Sequence, residues 1–368
     1  MNILIFSWRG PGHPNAGGAE IATHEHSKAW VRAGHNVFLF TSSFLNCKKQ
    51  EMIDGVTIVR SGNQVLGVHA AALVWFLLGK HPKFDIVVDQ FHGIPFFTVL
   101  FVRTKVLAYI HEIAMQVWKQ NELPKPYNLI ASEFGPKIEP LIFKLYKNVD
   151  FLTVSSSTKT DLVLFGVAKE KIHIIQNGFN SIRVRGVKKQ KILTFLGSLA
   201  KDKGIEDAIG IFSEVHRKDD SWDFLIVGKG DSTYTKLLKR KIKKLGLVSK
   251  VKFEGFVSER RKFEILAKSF CMINPSIHEG WGLVNIEANS VGTPVVGYKV
   301  KGLIDSVVDG KTGMLFQKGE FHQIAMEIIK LNNDKIRYLT LSNNCINWSK
   351  KFSWEKSTKE STQLIESL

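Results

Sequence analysis

The sequence predicts an α/β protein made of two doubly wound, Rossmann-like domains facing each other across a cleft. Three observations carry this reading. Strand and helix patterns alternate along the whole chain, as they do in parallel-sheet proteins. A strand, a glycine-containing loop and a helix open the chain at Ile3, and the same theme opens its second half at Ile192. The length of 368 residues exceeds one ordinary hydrophobic core. The expected domains are 1–180 and 181–352, with a closing helix over 353–368 that packs back on the first.

In the first half, Ile3–Ser7 reads as a strand, followed by a glycine-rich loop and a helix from about Ala19 to Ala33. Strands follow at Val37–Thr41 and Val56–Arg60, then a helix near His69–Leu78 and a strand at Asp85–Asp89. The remaining pattern is strand Val106–Ile110, a helix near Lys137–Lys147, strand Phe151–Val154, a helix near Thr158–Phe165 and strand Ile172–Ile175. Asn177-Gly178-Phe179-Asn180-Ser181 and the basic run Arg183–Lys191 read as a linker.

The second half begins with strand Ile192–Gly197 and helix Ile205–Arg217. Strand Phe224–Val227, a basic helix near Tyr234–Leu245 and strand Val251–Glu254 come next. Helix Glu259–Ala267, with Ser258 as its N-cap, leads to strand Phe270–Asn274. An acidic loop and helix, strand Pro294–Tyr298 and three helical patterns complete the chain, the last starting near Trp354.

Composition narrows the classes. Cys47, Cys271 and Cys345 are odd in number and widely spaced, so neither a disulfide framework nor a zinc motif is expected. The opening Met1-Asn2-Ile3-Leu4-Ile5-Phe6 reads as a strand and not as a secretory signal. The expected location is cytoplasmic. The net charge of +17 divides into surpluses of 5 over residues 1–180 and 12 over 181–368. Phosphates or an anionic membrane surface would suit it. No nucleic-acid-binding signature accompanies the charge, and no nucleic-acid partner is expected.

Two stretches bear on a membrane. Val65–Gly79 is apolar but too short to span a bilayer. Pro126–Lys147 mixes Leu129, Ile130, Ile138, Leu141, Ile142 and Leu145 with Lys137, Lys144 and Lys147. Such a segment can lie on the cytoplasmic face of a membrane. Packing of the apolar stripe on its own sheet is the competing reading.

The chemistry concentrates in His278-Glu279-Gly280-Trp281-Gly282-Leu283-Val284-Asn285-Ile286-Glu287-Ala288. Two positions eight apart in one helix differ by about 80° at 100° per residue, so they share no face cleanly. The glycines place Glu279 before a helix and Glu287 within its early turns. Gly292 is expected at C′, with Pro294 beyond it. Backbone N–H groups at a helix start suit a diphosphate, and carboxylates accept hydrogen bonds from sugar hydroxyls.

Other loops follow strands in the same way. Gly17 and Gly18 permit close approach of a phosphate or sugar, although a plain tight turn would also use them. Lys203 lies at a helix start, where the dipole disfavours a cation unless an anion also binds. Val227-Gly228-Lys229-Gly230 and Gly255-Phe256-Val257-Ser258 end two further strands. His111 ends another and can donate to a hydroxyl or phosphate. The zinc motif His-Glu-x-x-His fails because position 115 is Met, and His24 and His26 point to different faces of their helix. No Gly-x-Ser-x-Gly is present.

Taken together, these residues resemble the retaining, nucleotide-sugar-dependent glycosyltransferases of family 4, which have the GT-B fold. The resemblance rests on Gly17-Gly18-Ala19-Glu20, Ala33-Gly34-His35-Asn36-Val37, Asn177-Gly178-Phe179 and Gly197-x-Leu-x-x-x-Lys203-Gly204. It rests most on Pro275-Ser276-x-x-Glu279-Gly280-Trp281-Gly282-Leu283 through Glu287-Ala288, then Gly292-Thr293-Pro294-Val295-Val296 and Gly310-x-Thr312-Gly313.

The resemblance implies roles. Glu287 would hold the donor ribose, and Glu279 the transferred sugar. Backbone groups of Gly280, Trp281, Gly282 and Leu283 would assist at sugar and phosphates. Lys203 would neutralise the diphosphate. Gly17 and Gly18 would lie near the phosphate, His111 near the donor sugar, and Phe256-Val257 beside the base.

Ser198 stands where the family usually has arginine, which removes a bidentate phosphate clamp. Lys201 or Arg9 are the candidate substitutes. The implied activity is retaining transfer from a UDP- or GDP-sugar to a glycan, lipid-linked in the favoured reading, in envelope or surface polysaccharide synthesis. No cofactor and no obligatory metal are expected. A phosphorylase, a sugar-nucleotide epimerase or a binding homologue without catalysis are the alternatives.

Overall fold

Strand β1 (Asn2–Phe6) is buried from Ile3 to Phe6, because an unbroken apolar run suits a strand covered on both faces. The computed structural model describes every residue except 66, 116–117, 119–124 and 185. Leu66 of the apolar Val65–Gly79 stretch thus lies outside the described residues.

Further strands of the first unit are β2 (Asn36–Thr41), β3 (Gln50–Ile53), β4 (Val56–Arg60), β5 (Ile86–Phe91), β6 (Lys105–Ile110), β7 (Asp150–Thr153) and β8 (Ile172–Ile174). They form one sheet in the order β3-β4-β2-β1-β5-β6-β7-β8. All pairings are parallel except β3 with β4. That hairpin turns on Asp54 and Gly55, both at positive φ (50° and 81°), the geometry of a two-residue primed turn. The sequence reading passed over β3.

The helices of this unit are α1 (Gly18–Arg32), α2 (Gly67–Leu78), α3 (Tyr127–Leu145) and α4 (Ser156–Leu164). Residues paired across parallel strands share a sheet face. Phe6 pairs with Asp89, Asp89 with Ala108, and Ala108 with Phe151. Leu4 and Phe6 pack with Val68 and Ala72 of α2, while Ala108 and Phe151 pack with Ile142 and Phe143 of α3. So α2 and α3 cover the same face.

α3 starts ten residues earlier than the expected Lys137 and runs through Pro136 and Pro140. A proline inside a helix removes a backbone hydrogen bond and normally argues for a break. Here burial compensates. Glu139 accepts from Ala114 N (2.8 Å), Met115 N (2.8 Å) and Trp118 Nε1 (3.0 Å), and Gly135 leaves room for the Trp118 ring.

The second unit comprises Phe179–Ser353, and the first is Met1–Gly178 with Trp354–Leu368. Its elements are β9 (Gln190–Leu196), α5 (Ile205–Lys218), β10 (Asp223–Val227), α6 (Ser232–Lys244), β11 (Val251–Gly255), α7 (Glu259–Lys268) and β12 (Ser269–Asn274). They continue as α8 (Leu283–Ser290), β13 (Val295–Tyr298), α9 (Leu303–Ser306), β14 (Gly313–Phe316), α10 (Phe321–Asn333) and α11 (Lys335–Ser349). The sheet is wholly parallel, in the order β11-β10-β9-β12-β13-β14. β14 was not read from the sequence.

The chain then returns to the first unit as α12 (Trp354–Ser367). This helix packs on α1, where Trp30 Nε1 donates to Ser361 Oγ (3.1 Å) and His26 Nε2 meets Ser357 Oγ (3.1 Å). Among the described residues, no helix is long and apolar enough to cross a membrane.

Candidate functional site

In the second unit the strand order reverses between β9 and β12. Ligands of doubly wound sheets bind beyond the carboxyl ends of strands at such a point. The loop after β9 carries Ser198 and Lys203, and the loop after β12 carries Glu279 to Gly282. Backbone bonds tie the two loops together. Ile277 N donates to Asp202 O (3.0 Å), and Ser276 Oγ donates to Asp202 O (3.2 Å). Gly204, at φ +69°, must be glycine, since a Cβ there would lie 2.1 Å from Pro275 O.

This contact places Lys203 against Glu279. Lys203 Nζ lies 3.0 Å from Glu279 Oε1 and 3.8 Å from Asp202 Oδ2. Both side chains keep some exposure, so the pair can be opened by a ligand. Gly280 is buried, and Trp281 is buried with its ring edge-on to Phe352 at 5.2 Å. The Trp281 indole Nε1 has no partner.

Gly282 is the N-cap of α8 in the left-handed region (φ 75°), and Leu283 opens the helix. The first N–H groups of a helix have no intrahelical partner and attract anions. At the other end Gly292 N donates to Asn289 O (2.9 Å) and Thr293 N to Ala288 O (3.0 Å). With Gly292 at φ +69°, this is the Schellman stop expected from Gly-Thr-Pro.

Glu287 lies in the second turn of α8, and its side chain is 9% exposed. Lys262 of α7 reaches it, with Nζ 2.7 Å from Glu287 Oε1 and 2.9 Å from Glu259 Oε1. Burial holds the Glu287 carboxyl above its usual range, and Lys262 offsets that push only in part. The same two carboxylates outweigh burial at Lys262 and hold its ammonium above the usual range.

A buried chain fixes the helix start. Asn274 Nδ2 donates to Asn285 Oδ1 (2.8 Å), and Asn285 Nδ2 donates to Ser306 Oγ (2.9 Å). Lys262, Asn274, Asn285 and Ser306 were missed by sequence reasoning. For Asn274 and Asn285 the signal was a polar residue at a buried position of β12 or α8, whereas Lys262 on α7 and Ser306 on α9 gave none.

Ser198 is exposed in the loop after β9. That loop pairs with the loop after β10 through Leu199 N to Lys229 O (2.8 Å). The Lys229 ammonium stands 5.1 Å from the ring centre of Phe256, which is 76% exposed. Val257 beside it is half-buried. Lys201 is exposed.

In the first unit the corresponding reversal lies between β1 and β5. Gly17 and Gly18 stand exposed at the start of α1. Neither has a positive φ, and a Cβ on Gly18 would meet nothing within 4 Å. Internal packing thus gives no reason for glycine at position 18.

Glu20 is buried and accepts from Gly17 N (2.6 Å) and Arg9 Nε (2.9 Å), with His92 Nε2 at 3.5 Å. Burial raises its pKa, but His92, Arg9 and the Gly17 N–H more than offset that and keep it ionised. Arg9, one candidate substitute at Ser198, is thus held by Glu20 in its own unit.

His111 follows β6, its ring 4.6 Å from that of Tyr109 and its Nε2 without a hydrogen-bond partner among the described residues. Burial pulls its pKa down to about 3, so the imidazole is neutral at physiological pH. A neutral ring can donate one hydrogen bond without carrying charge.

Two Rossmann-like units, with a lysine and two carboxylates at the switch point of one, define a GT-B sugar-transfer protein. The first of two family models, glycosyltransferase family 4, matches residues 16–183, and the second, glycosyl transferases group 1, matches 179–351. The chain belongs to the family 4 glycosyltransferases, a retaining and metal-independent family.

An uncharacterised glycosyltransferase of Methanocaldococcus jannaschii is 24% identical over 386 residues, 99% of this chain and 97% of that one. Another from the same organism is 30% identical over 193 residues, 51% of each chain. The capsular polysaccharide biosynthesis glycosyltransferase CapM of Staphylococcus aureus is 29% identical over 219 residues, 53% of this chain and 55% of that one. The chain thus spans about half the length of these last two relatives. Among solved structures, Anabaena HepE in complex with UDP and glucose aligns over 100% of both chains, with a TM-score of 0.75 and 19% identity.

Proposed function

We propose that this enzyme transfers a sugar, with retention, from a UDP- or GDP-sugar to a glycan acceptor, lipid-linked, in the synthesis of envelope or surface polysaccharide. The observation that carries the reading is the Lys203–Glu279 pair at the switch point, with Glu287 in the helix that follows. In this reading the second unit holds the donor. Glu287 takes the ribose hydroxyls, and Phe256-Val257 flanks the base. Lys203 and the start of α8 take the diphosphate, which frees Glu279 to hold the sugar. The first unit is assigned the acceptor side, with Gly17, Gly18 and His111 as its candidate ligand contacts.

Departure of the diphosphate builds negative charge that Lys203 and helix N–H groups stabilise. The acceptor oxygen bonds to the anomeric carbon on the face the diphosphate leaves, and a departing phosphate oxygen takes the acceptor's proton. The UDP bound to the HepE neighbour supports a nucleotide donor, and CapM's part in capsular polysaccharide biosynthesis supports the polysaccharide reading.

A panel of UDP-, GDP-, ADP- and dTDP-sugars read by thermal shift tests the donor. A ligand at 100 times its dissociation constant stabilises by roughly 2.7 kcal/mol. UDP- or GDP-sugars should raise the midpoint selectively. A chain stabilised by none of the four would lose this assignment.

The acceptor reading draws on α3. Ile130, Phe134, Ile138, Leu141 and Leu145 are each 47–56% exposed and fall within about 80° of the helix circumference. Lys137 and Lys144 flank one side of this stripe. α2, on the same sheet face, leaves Leu73, Val74, Leu77 and Leu78 exposed. An apolar stripe edged with lysine fits an anionic lipid surface. Vesicles containing phosphatidylglycerol should co-sediment the protein far better than pure phosphatidylcholine, and Phe134→Glu with Ile138→Glu should abolish the difference. Equal sedimentation of variant and wild type would remove the membrane from the proposal.

A further inference from the structure

We infer that Lys262 is a positioning residue for donor recognition: its ammonium holds one oxygen of the buried Glu287 carboxylate and aims the second at the nucleotide ribose. This deepens the proposed reading and rests on Glu287 being the ribose holder.

The geometry makes the case. Glu287 sits in a short helix with almost no solvent on its side chain. A carboxylate in that position accumulates a large desolvation cost and takes up a proton unless a cation answers it. Lys262 is the cation that reaches it, at 2.7 Å from Oε1. The Lys262 side chain is itself only 13% exposed, and Glu259 holds it from the far side at 2.9 Å. The charged groups facing Glu287 are therefore Lys262, directly, and Glu259 behind it, both on α7.

With Oε1 taken by the ammonium, Oε2 remains as the acceptor for ribose. A protonated Glu287 would offer an O–H donor and a weaker acceptor, and vicinal hydroxyls would lose their strong partner. The consequence is a preference for ribose over deoxyribose that depends on Lys262, although Lys262 need not touch the nucleotide.

Binding of UDP, GDP and their 2′-deoxy counterparts to the full chain tests this between pH 6 and 9. Wild type should prefer the ribonucleotide at least tenfold, with a weaker dependence on pH than any variant lacking the lysine. In Lys262→Met the opposing charge is gone and the Glu287 pKa rises further, so the carboxylate is lost at a higher pH than in wild type. Ribonucleotide affinity should then drop at least tenfold at pH 6.5 and recover toward pH 9. Affinity for the 2′-deoxynucleotide should change far less. Lys262→Arg should restore most of the preference.

A merely structural lysine would lower the melting temperature and weaken both nucleotides equally, without a pH slope; that result overturns the proposal. Retention of wild-type preference in Lys262→Met overturns it too. Glu287→Gln separates the two layers. If it abolishes the ribose preference while Lys262→Met does not, the ribose reading stands and the positioning role falls. If Glu287→Gln leaves the preference intact, both fall.

Discussion

Glu287→Ala should weaken nucleotide binding about 100-fold, equivalent to roughly 3 kcal/mol. The carboxylate is buried, and hydrogen bonds to a charged, desolvated acceptor are worth more than those between neutral groups. Alanine removes the proposed acceptor for the ribose hydroxyls and leaves Lys262 with one carboxylate, Glu259, instead of two. Removing one member of a buried pair usually costs several kcal/mol of stability, but Glu259 stays 2.9 Å from the ammonium and reduces that loss. The expected result is therefore a folded variant with a modestly lower melting temperature and a large loss of UDP or GDP affinity by calorimetry. Nucleotide affinity equal to wild type in the folded variant would sink the assignment of Glu287.

Much of this site was legible because parallel strands announce themselves. Leu4 to Phe6 and Cys271 to Ile273 read as buried strands, and each runs into glycine before a helix. The placement of Glu279 before α8 and Glu287 within it followed from the Gly-Trp-Gly run alone. The stop at Gly292 followed from Gly-Thr-Pro. What escaped depends on contacts between residues distant in sequence. Lys203 and Glu279 are 76 residues apart, and Lys262 and Glu287 are 25 apart. No local pattern couples either pair. α3 was shortened because Pro136 and Pro140 argue locally against a helix, and only the bonds of Glu139 to Ala114, Met115 and Trp118 show why the helix persists. β14 is four residues that pair with β13, so its strand character is largely supplied by its neighbour. The Asp54-Gly55 turn of β3 carried a local signal, which was passed over.

Lys203→Met should lower turnover by about 10²–10³-fold, equivalent to roughly 3–4 kcal/mol of transition-state stabilisation. The family works without an obligatory metal, and Ser198 supplies no guanidinium, so in the proposed reading Lys203 answers an unusual share of the charge that develops on the leaving diphosphate. Its pair with Glu279 is partly exposed, at 27% and 16% for the two side chains. Such a pair is worth about 1 kcal/mol or less, so the melting temperature should scarcely move. The rival account is that Lys203 serves only to orient Glu279. The two accounts differ on free UDP or GDP, which has the diphosphate but no sugar. If Lys203 meets the diphosphate, Lys203→Met weakens free nucleotide binding while Glu279→Gln leaves it near wild type and reduces transfer. If Lys203 only orients Glu279, both variants bind free nucleotide normally, and the double variant is no slower than either single one. Near-additive losses in that double-mutant cycle, with weakened UDP or GDP binding confined to the lysine variant, are the expected outcome.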